Sequence, residues 1–332
     1  MEDFFERIDV NTSLSEIARE VCSKCNIEDY ISSQIVGVGY EDFNFIIETK
    51  NQKYFVKIFH KGRTSQDCSN YMDRINLSNR IDINTPKTIC FDSIKIDDKD
   101  LKFVVFEYIN GKSFLDLGQM PNKIEIKEII RQMANIHRAE LKSDFIYDTW
   151  TITNFENEFN SKGKYLKDDY YEKFKELVDK FKKVDLSKLP YSFVHGDIIS
   201  SNVIKDEDNR LWIIDFAVSN YLPRIIDLVV TGDNLCLDPN SKENTIKNFK
   251  LIVSEYEKYN KLTDYEKQII PLFYDIGNAM GILQINAIKQ DGEYSEEDEY
   301  WLKVSEQGLK YSDEQFWSEV FDRENKDRRD NI

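Results

Sequence analysis

The sequence has few of the residues that interrupt or cross-link a chain. It contains 6 prolines, 12 glycines and 5 cysteines in 332 residues, which excludes a collagen-like repeat and a disulfide-rich secreted scaffold. Long apolar runs are missing as well, and none approaches the roughly 20 residues that a membrane-spanning helix needs. The acidic amino terminus has no signal-peptide core. We therefore expect a cytoplasmic protein without a membrane partner.

Basic residues are scarce relative to acidic ones. The 45 Lys and Arg residues face 61 Asp and Glu residues, so the formal net charge is −16. Such a chain is unsuited to gathering nucleic-acid phosphates, and we expect no nucleic-acid partner. The hydrophobic content of 41% is enough for one or two packed cores. The composition therefore predicts a globular, enzyme-sized protein that favours cationic over polyanionic partners.

The cysteines are odd in number and scattered, which indicates reduced thiols rather than a disulfide framework. They are Cys22, Cys25, Cys68, Cys90 and Cys236. The pair Cys22 and Cys25 has metal-site spacing, but neither a second pair nor a histidine lies near it in the sequence. We expect no zinc or redox role for it.

Secondary-structure patterns change at Asn110-Gly111. Before it, short β-rich runs predict five antiparallel strands with one inserted helix: strands at 35–38, 43–48, 54–59, 88–96 and 101–108, and a helix at 64–79. After it, apolar stripes at helical spacing predict helices at 124–139, 165–184, 225–235, 245–259, 263–290 and 294–318, with a β-like patch at 193–214. The glycine marks a boundary between two parts.

One segment of the β-like patch carries a constellation of polar residues between apolar strands. It reads Phe-Val-His-Gly-Asp-Ile-Ile-Ser-Ser-Asn-Val-Ile over 193–204 and Leu-Trp-Ile-Ile-Asp-Phe over 211–216. Asp197, Asn202 and Asp215 supply two carboxylates and an amide oxygen, which are the hard ligands that Mg²⁺ prefers. A magnesium ion that shares its coordination with phosphates is what phosphoryl transfer requires.

The spacing from Asp197 to Asn202 equals that of the kinase catalytic loop, and Asp215-Phe216 stands where the kinase Asp-Phe-Gly motif would be. With Gly196 in place of the usual arginine, the segment resembles the aminoglycoside phosphotransferase and choline kinase superfamily of small-molecule kinases. The resemblance implies an α+β, bilobal protein-kinase-like fold. A five-stranded antiparallel amino-terminal lobe would cover residues 1–109, with a hinge at 107–112, and a mainly helical lobe would cover 113–332.

The resemblance also assigns roles around the catalytic loop. Asp197 would orient the acceptor hydroxyl and accept its proton, while Asn202 and Asp215 would hold Mg²⁺. His195 is expected to pack behind the acid and bond to nearby backbone rather than to act as a base. Asp227 would brace the loop by accepting backbone hydrogen bonds.

On the nucleotide side, Gly37 and Gly39 resemble the loop that covers the phosphates of ATP or GTP. Lys57 matches the strand lysine that pairs with the α- and β-phosphates. The hinge backbone that would bond adenine is that of Glu107, Tyr108 and Ile109. The helix after Lys57 lacks an obvious glutamate partner, which leaves Asp67 or Asp73 as candidates for the ion pair.

The acceptor has no recognisable signature. Residues 291–300 carry six acids and no base; a solvated helix start is the more ordinary interpretation of this cluster, and a cation site is the alternative. We expect a small, amino-bearing acceptor such as an aminoglycoside, and homoserine, choline, ethanolamine and amino sugars stay open. A catalytically silent nucleotide-binding or coat-type relative is the competing hypothesis. A protein kinase is disfavoured because Ile199 replaces the catalytic lysine and no activation segment is present.

Overall fold

The computed structural model describes residues 4–37, 42–292 and 294–322. The chain divides into two compact units. The first is built from residues up to Arg80 and from Asn84 to Gly111, and the second from Ile81–Ile83 and from Lys112 onwards. The division after Gly111 falls inside the segment 107–112 that the sequence predicts as the hinge.

The first unit is a five-stranded antiparallel sheet covered by a helix. The elements are α1 (Leu14–Lys24), β1 (Tyr30–Ile35), β2 (Phe43–Thr49), β3 (Lys53–Ile58), α2 (Ser65–Ser78), β4 (Thr88–Ile96) and β5 (Lys99–Glu107). The apolar face of α1, with Ile17, Ala18 and Val21, packs on side chains of the sheet such as Phe45 and Phe103. This burial follows from apolar positions that recur at helical spacing in α1 and alternate along the strands. The strand order is β1-β2-β3-β5-β4, and the predicted number of five antiparallel strands with one inserted helix is confirmed.

The first strand lies earlier than predicted. It runs over Tyr30–Ile35 rather than 35–38, and Val38 lies outside the described residues. The strand is at one edge of the sheet, and its side chains are exposed or only partly buried. An edge strand needs few apolar residues because backbone pairing to β2 holds it, so the apolar pattern misplaced it.

Two of the five cysteines form a disulfide, which corrects the expectation of five reduced thiols. Cys25, at the end of α1, is bonded to Cys90 on β4, with 5.8 Å between the Cα atoms. The packing of α1 on the sheet brings the two residues together, although 65 positions separate them in sequence. Cys22, Cys68 and Cys236 are buried free thiols.

The second unit is mainly helical with short strands at its centre. Its elements are β6 (Gly111–Ser113), α3 (Phe114–Leu117), α4 (Lys123–Arg138), α5 (Phe155–Lys162), α6 (Asp168–Phe181), β7 (Tyr191–Val194), β8 (Val203–Asp206), β9 (Leu211–Ile213), β10 (Asn220–Pro223), α7 (Ile225–Asn234), α8 (Lys242–Tyr256), α9 (Asp264–Asp291), α10 (Glu296–Tyr311) and α11 (Glu314–Val320). Strand β7 pairs antiparallel with β10, and β8 with β9. None of the helices in the described ranges is long and apolar enough to cross a membrane.

The last predicted helix, 294–318, is in fact two helices. The chain turns at Ser312, and the side chain of Asp313 accepts the N–H of Phe316 at 2.8 Å to cap α11. The apolar stripe continues across this turn because both helices pack on α9, α10 through Trp301 near Ile285 and α11 through Phe316 and Trp317 on Tyr274. The pattern alone therefore did not show the break. The acidic cluster supplies the first turn of α10, where Ser295 and Asp298 form a capping box.

The buried carboxylate of Asp233, on α7, lies next to Asn278 of α9 and Gly308 of α10. The side-chain oxygens Oδ1 of Asp233 and Oδ1 of Asn278 both face the Cα of Gly308, where an added Cβ would lie 2.5 and 2.1 Å from them. Among the described residues neither oxygen has a hydrogen-bond partner. Burial raises the pKa of Asp233 to about 8. The Tyr274 hydroxyl and the Asn278 side chain interact with this carboxylate and lower its pKa, but burial outweighs them.

Asp233→Asn is expected to remove a pH-dependent loss of stability. The raised pKa means that the folded state keeps a proton which the unfolded chain releases near pH 4. Wild-type stability should therefore fall by roughly 1.4 kcal/mol per pH unit from about pH 4 until the folded pKa is passed. The asparagine amide donates at every pH, so the variant should lack this slope and be the more stable protein at pH 8. Urea unfolding of both proteins across this range is the measurement, and equal slopes would contradict the assignment.

Candidate active site

The loop between β7 and β8 contains Asp197 and Asn202 and holds them together. The side-chain amide Nδ2 of Asn202 donates to Oδ2 of Asp197 at 2.7 Å and to its backbone carbonyl at 3.1 Å. The N–H of Ile199 donates to the same carbonyl at 3.0 Å. These bonds fix the orientation of the Asp197 carboxylate, so that a reacting group would meet it in one position.

Pairing of β8 with β9 brings Asp215 to the same place. Val203 lies opposite Ile213, and the next N–H along the chain, that of Ile214, donates to the carbonyl of Asn202 at 3.0 Å. Asp215 follows directly with φ of +63°, a left-handed conformation that is uncommon for a residue other than glycine. Such strain is typical of functional sites, where the surrounding structure enforces it.

The carboxylates of this site repel one another. Burial, followed by the nearby carboxylates of Asp215 and Asp148, raises the pKa of Asp197 to about 7. A cation bound among them would reverse this effect. Within the described ranges, no group of three or more His, Cys, Asp or Glu residues is arranged to hold a metal ion. Asp215 and Asn202 do fit a magnesium ion, because Mg²⁺ takes few protein oxygens and completes its shell with water and phosphate.

Asp227, in the first turn of α7, accepts hydrogen bonds from the start of the catalytic loop. Its Oδ2 accepts the N–H of His195 at 2.9 Å, and its Oδ1 accepts that of Gly196 at 2.7 Å. Nε2 of His137 lies 2.9 Å from Oδ2, and Nδ1 of His137 lies 2.7 Å from the Tyr256 hydroxyl. Burial alone would raise the pKa of Asp227, but the hydrogen bond and charge of His137 outweigh it and lower the pKa.

His195 is fully buried behind Asp197. Its Nδ1 accepts the N–H of Asp197 at 3.1 Å, so the ring proton lies on Nε2, which is 3.0 Å from the carbonyl of Ile214. Burial also lowers the pKa of His195. The ring packs against Phe216 at an interplanar angle of 59°, with 4.4 Å between centroids. Both nitrogens are thus used within the loop, and neither is available as a base.

The predicted nucleotide-binding residues lie in the first unit. Lys57 is on the central strand β3 and is only 7% exposed. In the pairing of β3 with β5, Lys57 lies opposite Val104, and Tyr54 lies opposite Glu107. Lys57 is three residues from Tyr54, which is about 10 Å along the strand. Lys57 and the segment 107–109 are therefore separated by a distance that suits a nucleotide.

Two details limit the predicted nucleotide contacts. The N–H of Glu107 donates to the carbonyl of Lys87 at 3.0 Å, so adenine would use other backbone groups of Glu107, Tyr108 and Ile109. Gly37 follows β1, and an added Cβ there would lie 3.8 Å from the Phe4 ring, whereas Gly39 lies outside the described residues.

Known structures show the same fold at low sequence identity. The choline kinase from Streptococcus pneumoniae has a TM-score of 0.66 and 16% identity, over 90% of this chain and 99% of that one. A microcompartment-associated aminopropanol kinase has a TM-score of 0.64 and 12% identity, over 92% and 98% of the chains. An amicoumacin kinase, solved with AMP-PNP, Ca²⁺ and its substrate, has a TM-score of 0.63 and 16% identity, over 94% and 97%. No curated protein sequence matches the chain.

The model of the phosphotransferase enzyme family matches residues 33–259. That range covers more than half of the chain and includes both the catalytic loop and Lys57. The chain belongs to the phosphotransferase enzyme family. It is a small-molecule kinase, a phosphotransferase that acts on a hydroxyl group, with the protein-kinase-like α+β fold that the sequence predicted.

The partner of Lys57 in this phosphotransferase was missed by the sequence reasoning. Its Nζ lies 3.5 Å from Oδ2 of Asp42, a residue directly before β2. Asp67 instead caps α2 by accepting from Thr64, and Asp73 is exposed. The resemblance to protein kinases, which carry this acid on the helix after the lysine, pointed to α2, although Asp42 stands close to Asn44, which pairs with Lys57 across the sheet.

Two further groups of residues lie beside the catalytic loop, and the sequence analysis did not predict either position. Ile199 packs against a cluster of α9 and α10 that includes Ile285 and Trp301, so the acidic start of α10 lies on the catalytic-loop side of the unit. Trp301 is 9% exposed and belongs to this core. The sequence offered no signal that a loop residue would meet the carboxy-terminal helices.

The second group is the segment 145–150, which leads from α4 towards α5. The side-chain amide of Asn220 bonds both the N–H of Ile146, at 3.0 Å, and its carbonyl, at 2.9 Å. Asn220 lies opposite Val194, the last residue before the loop. This clamp sets Asp148 near enough to Asp197 for their charges to interact.

Proposed function

We propose that the enzyme transfers the γ-phosphate of ATP or GTP, with Mg²⁺, to a hydroxyl of a small amino-bearing molecule. The observation that supports it best is the catalytic loop, in which Asn202 fixes the Asp197 carboxylate and β-strand pairing places Asp215 beside it. Some structural neighbours are solved with AMP or AMP-PNP, which supports a nucleotide co-substrate.

The catalytic loop suits a hydroxyl acceptor. Asp197 would accept a hydrogen bond from the hydroxyl and take its proton as the bond to phosphorus forms. Asn202 and Asp215 would hold the magnesium ion, which neutralises charge on the phosphates when bound. Lys57 would bind the α- and β-phosphates, and the segment 107–109 the adenine. A magnesium requirement and the cytoplasmic location both stay predictions.

An amino group on the acceptor is favoured by the charge beside the loop. Asp148 is partly buried and is oriented by Thr151, whose hydroxyl donates to it at 2.6 Å, and by the N–H of Trp150 at 3.0 Å. Burial raises the pKa of Asp148, a cost that a bound ammonium group would offset. Phe145, Tyr147 and Trp150 are 62%, 48% and 44% exposed and offer aromatic faces to a cation.

The test is an assay of ADP and GDP release in the presence of Mg²⁺. The acceptor panel contains aminoglycosides, homoserine, choline, ethanolamine, amino sugars and a neutral polyol. We expect turnover that depends on an amino-bearing acceptor. Turnover with the neutral polyol alone would contradict the proposed acceptor class, and nucleotide binding without turnover on any acceptor would favour a silent relative.

Asp148→Asn should raise KM for the amino-bearing acceptor while leaving KM for the nucleotide unchanged. Loss of a charged hydrogen bond is worth about 1.5–3 kcal/mol, or about 10- to 100-fold. The measurement is steady-state kinetics with the acceptor found above. Asp179→Asn, an exposed acid of α6, is the matched control and should behave as wild type. An equal loss with both substrates would contradict a role in acceptor binding.

A further inference from the structure

We propose that Asp42 is the positioning residue of Lys57, replacing the helix acid that holds this lysine in protein kinases. The inference rests on the proposed role of Lys57 in nucleotide binding. Both side chains are buried, at 3% and 7% exposure, and Oδ2 of Asp42 lies 3.5 Å from Nζ of Lys57. Asp42 directly precedes β2, and β2 is the strand next to β3, which carries Lys57.

Helix α2 presents an aromatic ring to Lys57 where an acid was expected. Nζ of Lys57 lies 5.3 Å from the centroid of the Tyr71 ring, and Tyr71 is 2% exposed. Asp67 is bonded to the N–H and the hydroxyl of Thr64, both at 2.7 Å. The ring stabilises a cation on one side, but it does not supply the counter-charge. The carboxylate of Asp42 does.

Asp42 is itself fixed by groups that follow β3. Its Oδ1 accepts the N–H of His60 at 3.0 Å and Nε of Arg63 at 2.9 Å, and its Oδ2 accepts Nη2 of Arg63 at 3.2 Å. A paired guanidinium holds a carboxylate in one orientation. Asp42 can therefore direct the ammonium of Lys57, and Arg63 stays as its partner when that ammonium turns to a phosphate. The buried carboxylate is never left without a cation.

The experiment is a double-mutant cycle on nucleotide binding, with Mg²⁺–ADP as the probe in isothermal titration calorimetry. Asp42→Asn should weaken ADP binding by about 10- to 100-fold, the value of a charged hydrogen bond. Lys57→Met should weaken it at least as much. Because Asp42 acts through Lys57, the double variant should bind no more weakly than Lys57→Met alone. Additive losses would overturn the proposal.

Controls separate positioning from folding. Asp73→Asn, on the exposed face of α2, should bind ADP as wild type does. Arg63→Gln removes the anchor but keeps the carboxylate beside Lys57, so it should weaken binding less than Asp42→Asn; an equal loss would mean that Asp42 only stabilises the chain after β3. Asp42→Glu retains the charge and should bind between wild type and Asp42→Asn, which tests the proposal should the asparagine variant fail to fold.

The outcomes also separate this inference from the function on which it rests. A wild-type protein that binds neither Mg²⁺–ADP nor Mg²⁺–GDP would contradict the nucleotide-binding function itself. A wild-type protein that binds ADP, together with an Asp42→Asn variant that binds it equally well, would leave the kinase function standing and overturn the role of Asp42.

Discussion

Asp197→Asn should abolish most phosphoryl transfer while leaving nucleotide binding intact. The substitution keeps the size of the side chain but removes the group that would accept the hydroxyl proton. A positioned general base contributes about 100- to 10,000-fold to the rate, and we expect kcat to fall by that amount. ADP release with the acceptor identified in the panel measures turnover, and calorimetry with Mg²⁺–ADP measures binding.

The matched control is Asp208→Asn in the turn between β8 and β9. Asp208 is an exposed acid whose partner is the exposed Arg210, so wild-type turnover is expected. An Asp197→Asn protein that retains wild-type kcat would show that Asp197 takes no part in the chemistry. A protein that loses ADP binding as well would instead indicate a collapsed loop, which unfolding measurements on the variant would reveal.

The parts of this enzyme that could be predicted from sequence are those in which neighbours in sequence are also neighbours in space. Asp197 and Asn202 lie on one short loop, and Asp215 follows the strand that pairs next to it. Their spacing was therefore enough to predict that these three residues lie together. Four of the five strands and the inserted helix were equally accessible, because alternation and helical stripes are local patterns, whereas the edge strand β1 has too few buried residues to be placed in this way.

Contacts between distant segments could not be read in this way. Cys25 and Cys90 are bonded, and Asn220 clamps the backbone of Ile146. Each of these pairings depends on how whole elements pack, and no local pattern encodes it. Asp42 was missed for a different reason, because the resemblance to protein kinases pointed to α2 rather than to the neighbouring strand.

Asp227 is where such long-range packing matters most for the site, since one carboxylate ties together three segments. The residues it joins are His137 at the end of α4, His195 and Gly196 in the catalytic loop, and α7 itself. Two of these bonds come from backbone N–H groups, which cannot rotate towards another acceptor as a side chain can. Removing the carboxylate would leave buried donors without an acceptor, a cost that a surface acid does not carry.

Asp227→Ala should therefore destabilise the protein by about 3–5 kcal/mol, the range found when a buried charged partner is removed. Turnover should fall as well, because the loop that carries Asp197 loses its attachment to α7. Urea unfolding measures the first effect, and the acceptor assay the second. Asp264→Ala is the matched control: Asp264 is also a first-turn helix acid but is exposed, so its loss should cost only about 0.3–1 kcal/mol. If the two variants lost the same stability, Asp227 would be an ordinary helix-terminal acid rather than the brace of the catalytic loop.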